Sequence, residues 1–221
     1  MDATEYRATY REYVEAIWEL EEEGIEPIQA RIADWLGVSR PSVSEMMRRM
    51  EDEKLISTAG GGIRLTDEGR YLAEVVVRRH RLAERFLAEV LELPWVKVHE
   101  EASVWEHVIS EDVERAMWQA LNNPLTCPHG NPIPGAGYKP PKMKPVAELV
   151  AGERLAVERI SEELELDQSI IDFLDTAGIR PGAELEVTAQ TPDGTLTVRV
   201  DGGDHVGVGS FVSHRLFVAV P

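Results

Sequence analysis

Apolar positions in the first half of the chain recur at helical spacing, and those in the last third alternate. Val14, Ile17, Trp18 and Glu21 share that spacing over Tyr10–Glu23, and Gly24 ends the predicted helix. A second short helix runs from Ile28 to Leu36 and stops at Gly37. Ser39 is a good N-cap with Pro41 in the first turn behind it, which predicts a third helix to about Glu53. Two β-prone pieces between Ile56 and Thr66 flank Gly60-Gly61-Gly62 and predict a hairpin. Helices over Asp67–Leu91, Val96–Ser110 and Asp112–Leu121 follow. Then the period changes. Arg154–Ile160, Glu184–Gln190, Thr195–Asp201 and Leu216–Val220 alternate as strands, with one helix over Asp167–Thr176 between them. Pro124–Pro145, which holds seven of the 13 prolines, separates the two regimes as an extended linker. The expected fold is mainly α with a small all-β domain: a winged helix-turn-helix over 1–75, helices over 76–123, the linker over 124–145 and an SH3-like barrel over 146–221.

In a helix-turn-helix the first helix braces the second, whose N-terminal residues enter the major groove. Ala33, Gly37 and Val43 supply the small and apolar positions of such a turn. Ser39, Arg40, Pro41, Ser42, Ser44 and Glu45 then open the recognition helix, with Arg48 and Arg49 one turn on. Serine hydroxyls suit phosphate, and Arg40 suits phosphate or guanine. The glycine-tipped wing favours DNA over an ordinary helical hairpin.

Charge argues the other way at first. With 23 Lys+Arg and 40 Asp+Glu the net charge is −17, whereas phosphate binding normally needs a basic surface. By segment the objection fades: residues 145–221 carry −9, residues 1–75 carry −8 and residues 76–144 are neutral, while 38–50 is +2. One cysteine, Cys127, excludes an intrachain disulfide framework. No run approaches the roughly 18 apolar residues of a membrane span. A soluble, cytoplasmic protein with no membrane partner is expected.

The histidines after the wing bring in a second chemistry. His80 and Glu84 are one turn apart on one face, and His99, Ser103, Glu106 and His107 follow at i, i+4, i+7 and i+8. Imidazoles and carboxylates converging from neighbouring helices make a divalent transition-metal site, which Glu12 and Glu15 of the first helix would close. Adjacent Glu106 and His107 are expected to diverge, so other helices must complete the shell. His129, His205 and His214 read as non-ligands and Cys127 as incidental.

The stretches WELEEEG, ARIADWLGVSRPSVSEMMRRMED, RRHRLAERFL, KVHEEASVWEHVISEDVER and HGNPIPG resemble the diphtheria toxin repressor family of iron- and manganese-dependent repressors over nearly the whole chain. The resemblance implies that 76–123 binds metal and dimerises, that the barrel is similar to ferrous-iron transport accessory domains, and that a homodimer binds inverted-repeat operator DNA. It also implies two metal sites per chain. An ancillary one would hold His80, Glu84, His99, Glu165 and Gln168, and a primary one Glu12, Ser103, Glu106 and His107. Iron-sensing members have methionine and cysteine at Glu12 and Ser103, whereas manganese-sensing members use acids at Glu12, Glu15, Ser103 and Glu106. Oxygen at Glu12 favours Mn(II) over Fe(II), although Ser103 fits neither pattern. Glu45 stands where iron-sensing relatives carry glutamine, so the operator sequence does not transfer. The competing classes are a di-metal hydrolase, for which no nucleophile motif is present, and a regulator answering to an organic effector.

Overall fold

A computed structural model describes residues 6–59 and 61–220. Gly60 of the predicted hairpin, residues 1–5 of the predicted first domain and Pro221 lie outside the described residues. Helices α1 (Ala8–Glu22), α2 (Gln29–Leu36) and α3 (Arg40–Asp52), strands β1 (Ile56–Ser57) and β2 (Arg64–Leu65) and the start of α4 (Asp67–Glu89) enclose one core. Its floor is Val14, Ile17 and Leu20 of α1 against Ile32, Val43, Met47, Met50 and Leu72. Ser39 caps α3, its hydroxyl accepting from Ser42 N at 3.3 Å, and Thr66 caps α4 by accepting from Gly69 N at 3.1 Å. Gly69 is required where it stands, because a Cβ there would lie 1.9 Å from the Leu55 carbonyl oxygen.

Twenty-three residues make α4 about 34 Å long, enough to serve two cores. Its second half packs Leu82, Ala83 and Leu87 against α5 (Val98–Trp105), α6 (Glu111–Ala120) and Ile133. The predicted helix Val96–Ser110 is divided. A 3-10 turn, Trp95–Lys97, leads into α5, and α5 stops at Trp105. The chain turns there so that Ile109 enters the core and Ser110 caps α6 by accepting from Val113 N.

The C-terminal part is one antiparallel sheet of six strands in the order β3-β8-β4-β5-β6-β7. These are β3 (Met143–Pro145), β4 (Arg154–Ile160), β5 (Glu184–Gln190), β6 (Leu196–Val200), β7 (His205–Val208) and β8 (Leu216–Ala219). Short helices α7 (Glu162–Glu165), α8 (Gln168–Thr176) and α9 (Ser210–Ser213) join them. Strands β3 and β7 and helices α7 and α9, each four residues or fewer, are additional to those the sequence reading names. The linker is not free chain: Cys127, His129, Asn131 and Ile133 are buried. It crosses β4 at Gly130 (φ 91°), where a Cβ would meet the Glu158 carbonyl oxygen at 2.2 Å.

Candidate metal centre and nucleic-acid interface

Five segments send polar side chains into one region beneath α4. His80 and Glu84, on one face of that helix, are 4% and 0% exposed. From α5 and its terminal turn come His99, Ser103, Glu106 and His107, and from α1 come Glu12, Glu15 and Glu19. The linker brings Cys127 and His129, and α7 brings Glu162 and Glu165.

An inner cluster centres on Glu84. Its Oε1 lies 3.5 Å from His80 Nε2, 3.5 Å from His99 Nδ1 and 3.2 Å from His129 Nδ1. Glu165 Oε2 is 2.8 Å from His129 Nδ1 and 3.3 Å from His99 Nδ1. Ligand atoms of Glu84, Cys127 and His129, of His80, Glu84 and His99, and of His99, Glu162 and Glu165 each fall within 4.8 Å of one another. Glu84 Oε2 and Glu162 Oε1 are buried without a hydrogen bond, while Glu84 Oε1 and Glu165 Oε2 meet only imidazole nitrogens. Buried carboxylate oxygens are rarely left so unless something else satisfies them. A divalent cation would, and nitrogen, oxygen and sulfur donors on several elements fit a transition metal.

The outer cluster lines a cleft of about 260 Å³ bounded by Glu12, Glu15, Glu19, Ser103, Glu106, His107 and Trp35. Its centre is Glu106, whose Oε2 meets His80 Nδ1 at 2.6 Å and whose Oε1 is 3.4 Å from His107 Nδ1. Glu12 Oε1 lies 3.8 Å from His107 Nε2, and Glu15, His80 and Glu106 also form a candidate triad. His80 thus touches both clusters through its two nitrogens.

Charge balance in the region is delicate. Burial, with Glu106 and Glu19 adding to it, pushes Glu15 well above the usual carboxylate range. Burial and Glu162 do the same to Glu19. For the histidines burial works downward but loses: Glu106 and Glu84 hold His80 well up, and Glu165 and Glu84 hold His99 at about 10. Burial, then Glu84, pushes the Cys127 thiol up to about 12.

Gln168 is exposed but lines a pocket with His99, His129 and Glu165, and its bonds to Val96 O and Asp172 Oδ1 at 3.0 and 2.8 Å use its Nε2 rather than its Oε1. Two sequence expectations are corrected. Cys127 and His129 are not incidental, since the buried linker loop carries both to Glu84. Glu106 and His107 do not diverge: with α5 ended at Trp105, the turn directs both into the cleft. Ser103 reaches the wall but donates its hydroxyl to His99 O at 3.0 Å. Glu162 was hidden in the acid-rich run EELELD, whereas the Cys-Pro-His spacing before Gly130 was a usable signal for the loop.

On the opposite side of the first core, Ser39, Arg40, Pro41, Ser42, Glu45, Arg48 and Arg49 are exposed along α3, and Ser44 is half-buried. Gly37 (φ 63°) makes the turn from α2, and the hairpin stands beside α3 with Arg64 exposed. Val43, Met47 and Met50 face inward, so the polar row faces out as the spacing predicts. Arg49 is ion-paired with Glu45.

Residues 6–61 match the family described as iron dependent repressor, N-terminal DNA binding domain. Residues 66–135 match the iron dependent repressor metal binding and dimerisation domain, and residues 144–220 match the FeoA domain. Iron-dependent repressor IdeR of Mycobacterium tuberculosis is 42% identical over 218 residues, covering 93% of this chain and 94% of its own. A diphtheria toxin repressor of Corynebacterium efficiens is 42% identical over 185 residues, 79% of this chain and 80% of its own. Among solved structures, a manganese-dependent transcriptional repressor in complex with manganese superposes with a TM-score of 0.85 at 31% identity, over 96% of this chain and all of that one.

Proposed function

Because the chain belongs to the family of iron-dependent repressors that includes IdeR and the diphtheria toxin repressor, we propose that it is a two-centre metal sensor whose activating ion is Mn(II). At the coarser level it is a metal-dependent, DNA-binding transcriptional repressor, and that family is one of repressors rather than enzymes. It has a dimerisation domain, and no helix among the described residues is long and apolar enough to cross a membrane.

The finer reading divides the chain at 75, 123 and 145 as the sequence suggested. The outer cleft is the activating centre, with Glu12, Glu15, Glu106 and His107 as ligands and Ser103 at its wall. The inner cluster is the ancillary centre, with His80, Glu84, His99, Glu165 and Gln168, and Cys127 and His129 stand beside them as further donors. Two ions would add four positive charges to a region crowded with carboxylates. Oxygen ligands in the cleft suit Mn(II), and this is the observation that carries the metal assignment. A bound cation supplies charge neutralisation there. The residues of α1 and the turn after α5 supply the rest, since Glu12, Glu15 and Glu106 converge on the cleft and a cation among them would tighten the contact of those elements. Holding α1 on α5 would fix the recognition helices of a homodimer at the spacing of an inverted-repeat operator of metal-homeostasis genes. Ser39, Arg40, Pro41, Ser42, Ser44, Glu45, Arg48 and Arg49 would face that DNA.

Fe(II) is the second reading, and the 42% identity to an iron-dependent repressor over 218 residues is the observation that favours it. Inverted-repeat duplexes selected from a random pool, then titrated anaerobically with Mn(II), Fe(II) or chelator, test both. Mn(II)-dependent affinity in a 5–150-fold range, about 1–3 kcal/mol, is expected. Activation by Fe(II) alone would replace the metal, and equal affinity under chelator would remove the function.

A further inference from the structure

We infer that Glu19 and Trp35 form the link through which the cleft acts on the recognition helix, an inference that rests on the cleft being the activating centre. Glu12, Glu15 and Glu19 lie one turn apart along α1 and form a row on the cleft wall. The last of them is 7% exposed and accepts a hydrogen bond from Trp35 Nε1 on its Oε2 at 2.9 Å. Trp35 belongs to α2, and with Leu36 it is the part of the helix-turn-helix that reaches the cleft. Its other side faces a groove shared with the barrel, lined by Leu166, Phe211 and Arg215.

The geometry makes Trp35 a poor candidate for independent motion. Ile32 and Ala33 anchor α2 in the first core, and the left-handed turn at Gly37 begins two residues after the indole. Ser39, the cap of α3, follows two residues later. A displacement of α1 that opens or closes the cleft therefore moves Glu19. The hydrogen bond passes that motion to α2, and the short turn passes it to the N-terminal residues of α3. Neither Glu19 nor Trp35 is a proposed ligand, so both are positioning residues. A hydrogen bond to a buried carboxylate is strong enough for the task, being of the order of the coupling such a repressor needs.

The test uses the full chain and the variants Trp35→Phe, Glu19→Leu, Glu19→Gln and the double variant Trp35→Phe/Glu19→Leu. Mn(II) affinity is measured by calorimetry, and DNA affinity with Mn(II) and with chelator on one selected duplex. Trp35→Phe and Glu19→Leu should each cut the gain in DNA affinity at saturating Mn(II) about tenfold relative to chelator. Glu19→Gln, whose amide oxygen still accepts from the indole, should keep most of the gain, a rescue that a purely structural role does not predict. The double variant should be no worse than either single one, because both remove one bond. The two single variants cut that bond from opposite ends, so a folding defect in one leaves the other to decide. Full gain in the folded single variants, or losses that add, would overturn the link alone. A wild-type chain whose DNA affinity ignores metal would overturn the function with it.

Discussion

His99 shows how single residues set the response to pH. Glu165 and Glu84 hold it at about 10 against the downward pull of burial, where an ordinary histidine sits at 6.5. A histidine raised on folding contributes stability that is complete below its unfolded value and is lost as pH rises through its folded one. The metal-free chain should therefore lose stability between about pH 6.5 and 10, with His80 and His129 shifted in the same direction. Ligation needs the neutral imidazole, so metal uptake must release protons, and apparent affinity should climb over the same interval. Calorimetry at pH 7 in buffers of differing ionisation enthalpy reads the released protons directly; a heat independent of buffer would contradict the inner cluster as a metal site. Cys127 makes a separate prediction. Held at about 12, it is a thiol until an ion displaces its proton. Cys127→Ser should weaken Fe(II) or Zn(II) binding about 10–100-fold and Mn(II) binding much less. Equal losses for the three ions would remove the thiolate from the shell.

At the scale of elements, α3 is built to present its charges conditionally. Its two C-terminal arginines are exposed, but Glu45 pairs with Arg49 one turn away. Glu45→Gln should free that guanidinium for phosphate, tightening DNA binding on every sequence and steepening its salt dependence by about one counterion. An unchanged salt slope would mean that Arg49 stays away from the backbone. Val104 of α5, Val108 of the turn after it and Val113 of α6 are exposed, which fits a dimer surface, and Val104→Asp/Val108→Asp should sediment as a monomer with retained Mn(II) binding. The helix-turn-helix was legible because Gly37, Ser39 and Pro41 are local punctuation with local causes. The metal region was only partly so. His80, Glu84, His99, Glu106 and His107 could be read from spacing because two neighbouring elements bear them. His129 and Glu162 could not, since a proline-rich loop and a four-residue helix reach the site only through tertiary packing. Gln168 was carried by resemblance alone, and only the packing of α8 against the Trp95–Lys97 turn brings it beside His99 and Glu165.

At the scale of the molecule, the acidic end of α1 fastens three parts together. Arg159 of β4 grips both oxygens of Glu23 at 3.0 and 3.1 Å and also donates to Asn131 at 3.3 Å. Arg81 of α4 joins Glu22 at 2.6 Å to Glu162 at 3.1 Å, and it donates to the Pro132 carbonyl of the linker. The charges that made the sequence look hostile to DNA are thus partly spent inside. Barrel docking and the inner cluster are one problem, because Glu162 and Glu165 arrive on α7, which only Ser161 separates from the strand that carries Arg159. Breaking a buried ion pair from one side costs about 3–5 kcal/mol, since the remaining charge is stranded. Arg159→Ala strands Glu23, whose side chain is only 6% exposed, and the cheapest relief is for the barrel to lift and admit water. Proteolysis in the 124–145 linker should then accelerate, and affinity at the inner cluster should fall with the loss of Glu165. Glu23→Gln/Arg159→Met removes both charges, leaves nothing stranded and should hold the linker protected more nearly like the parent. If Arg159→Ala is cleaved no faster and binds metal equally well, the barrel is held by its apolar contacts, and the ion pairs at the end of α1 are passengers.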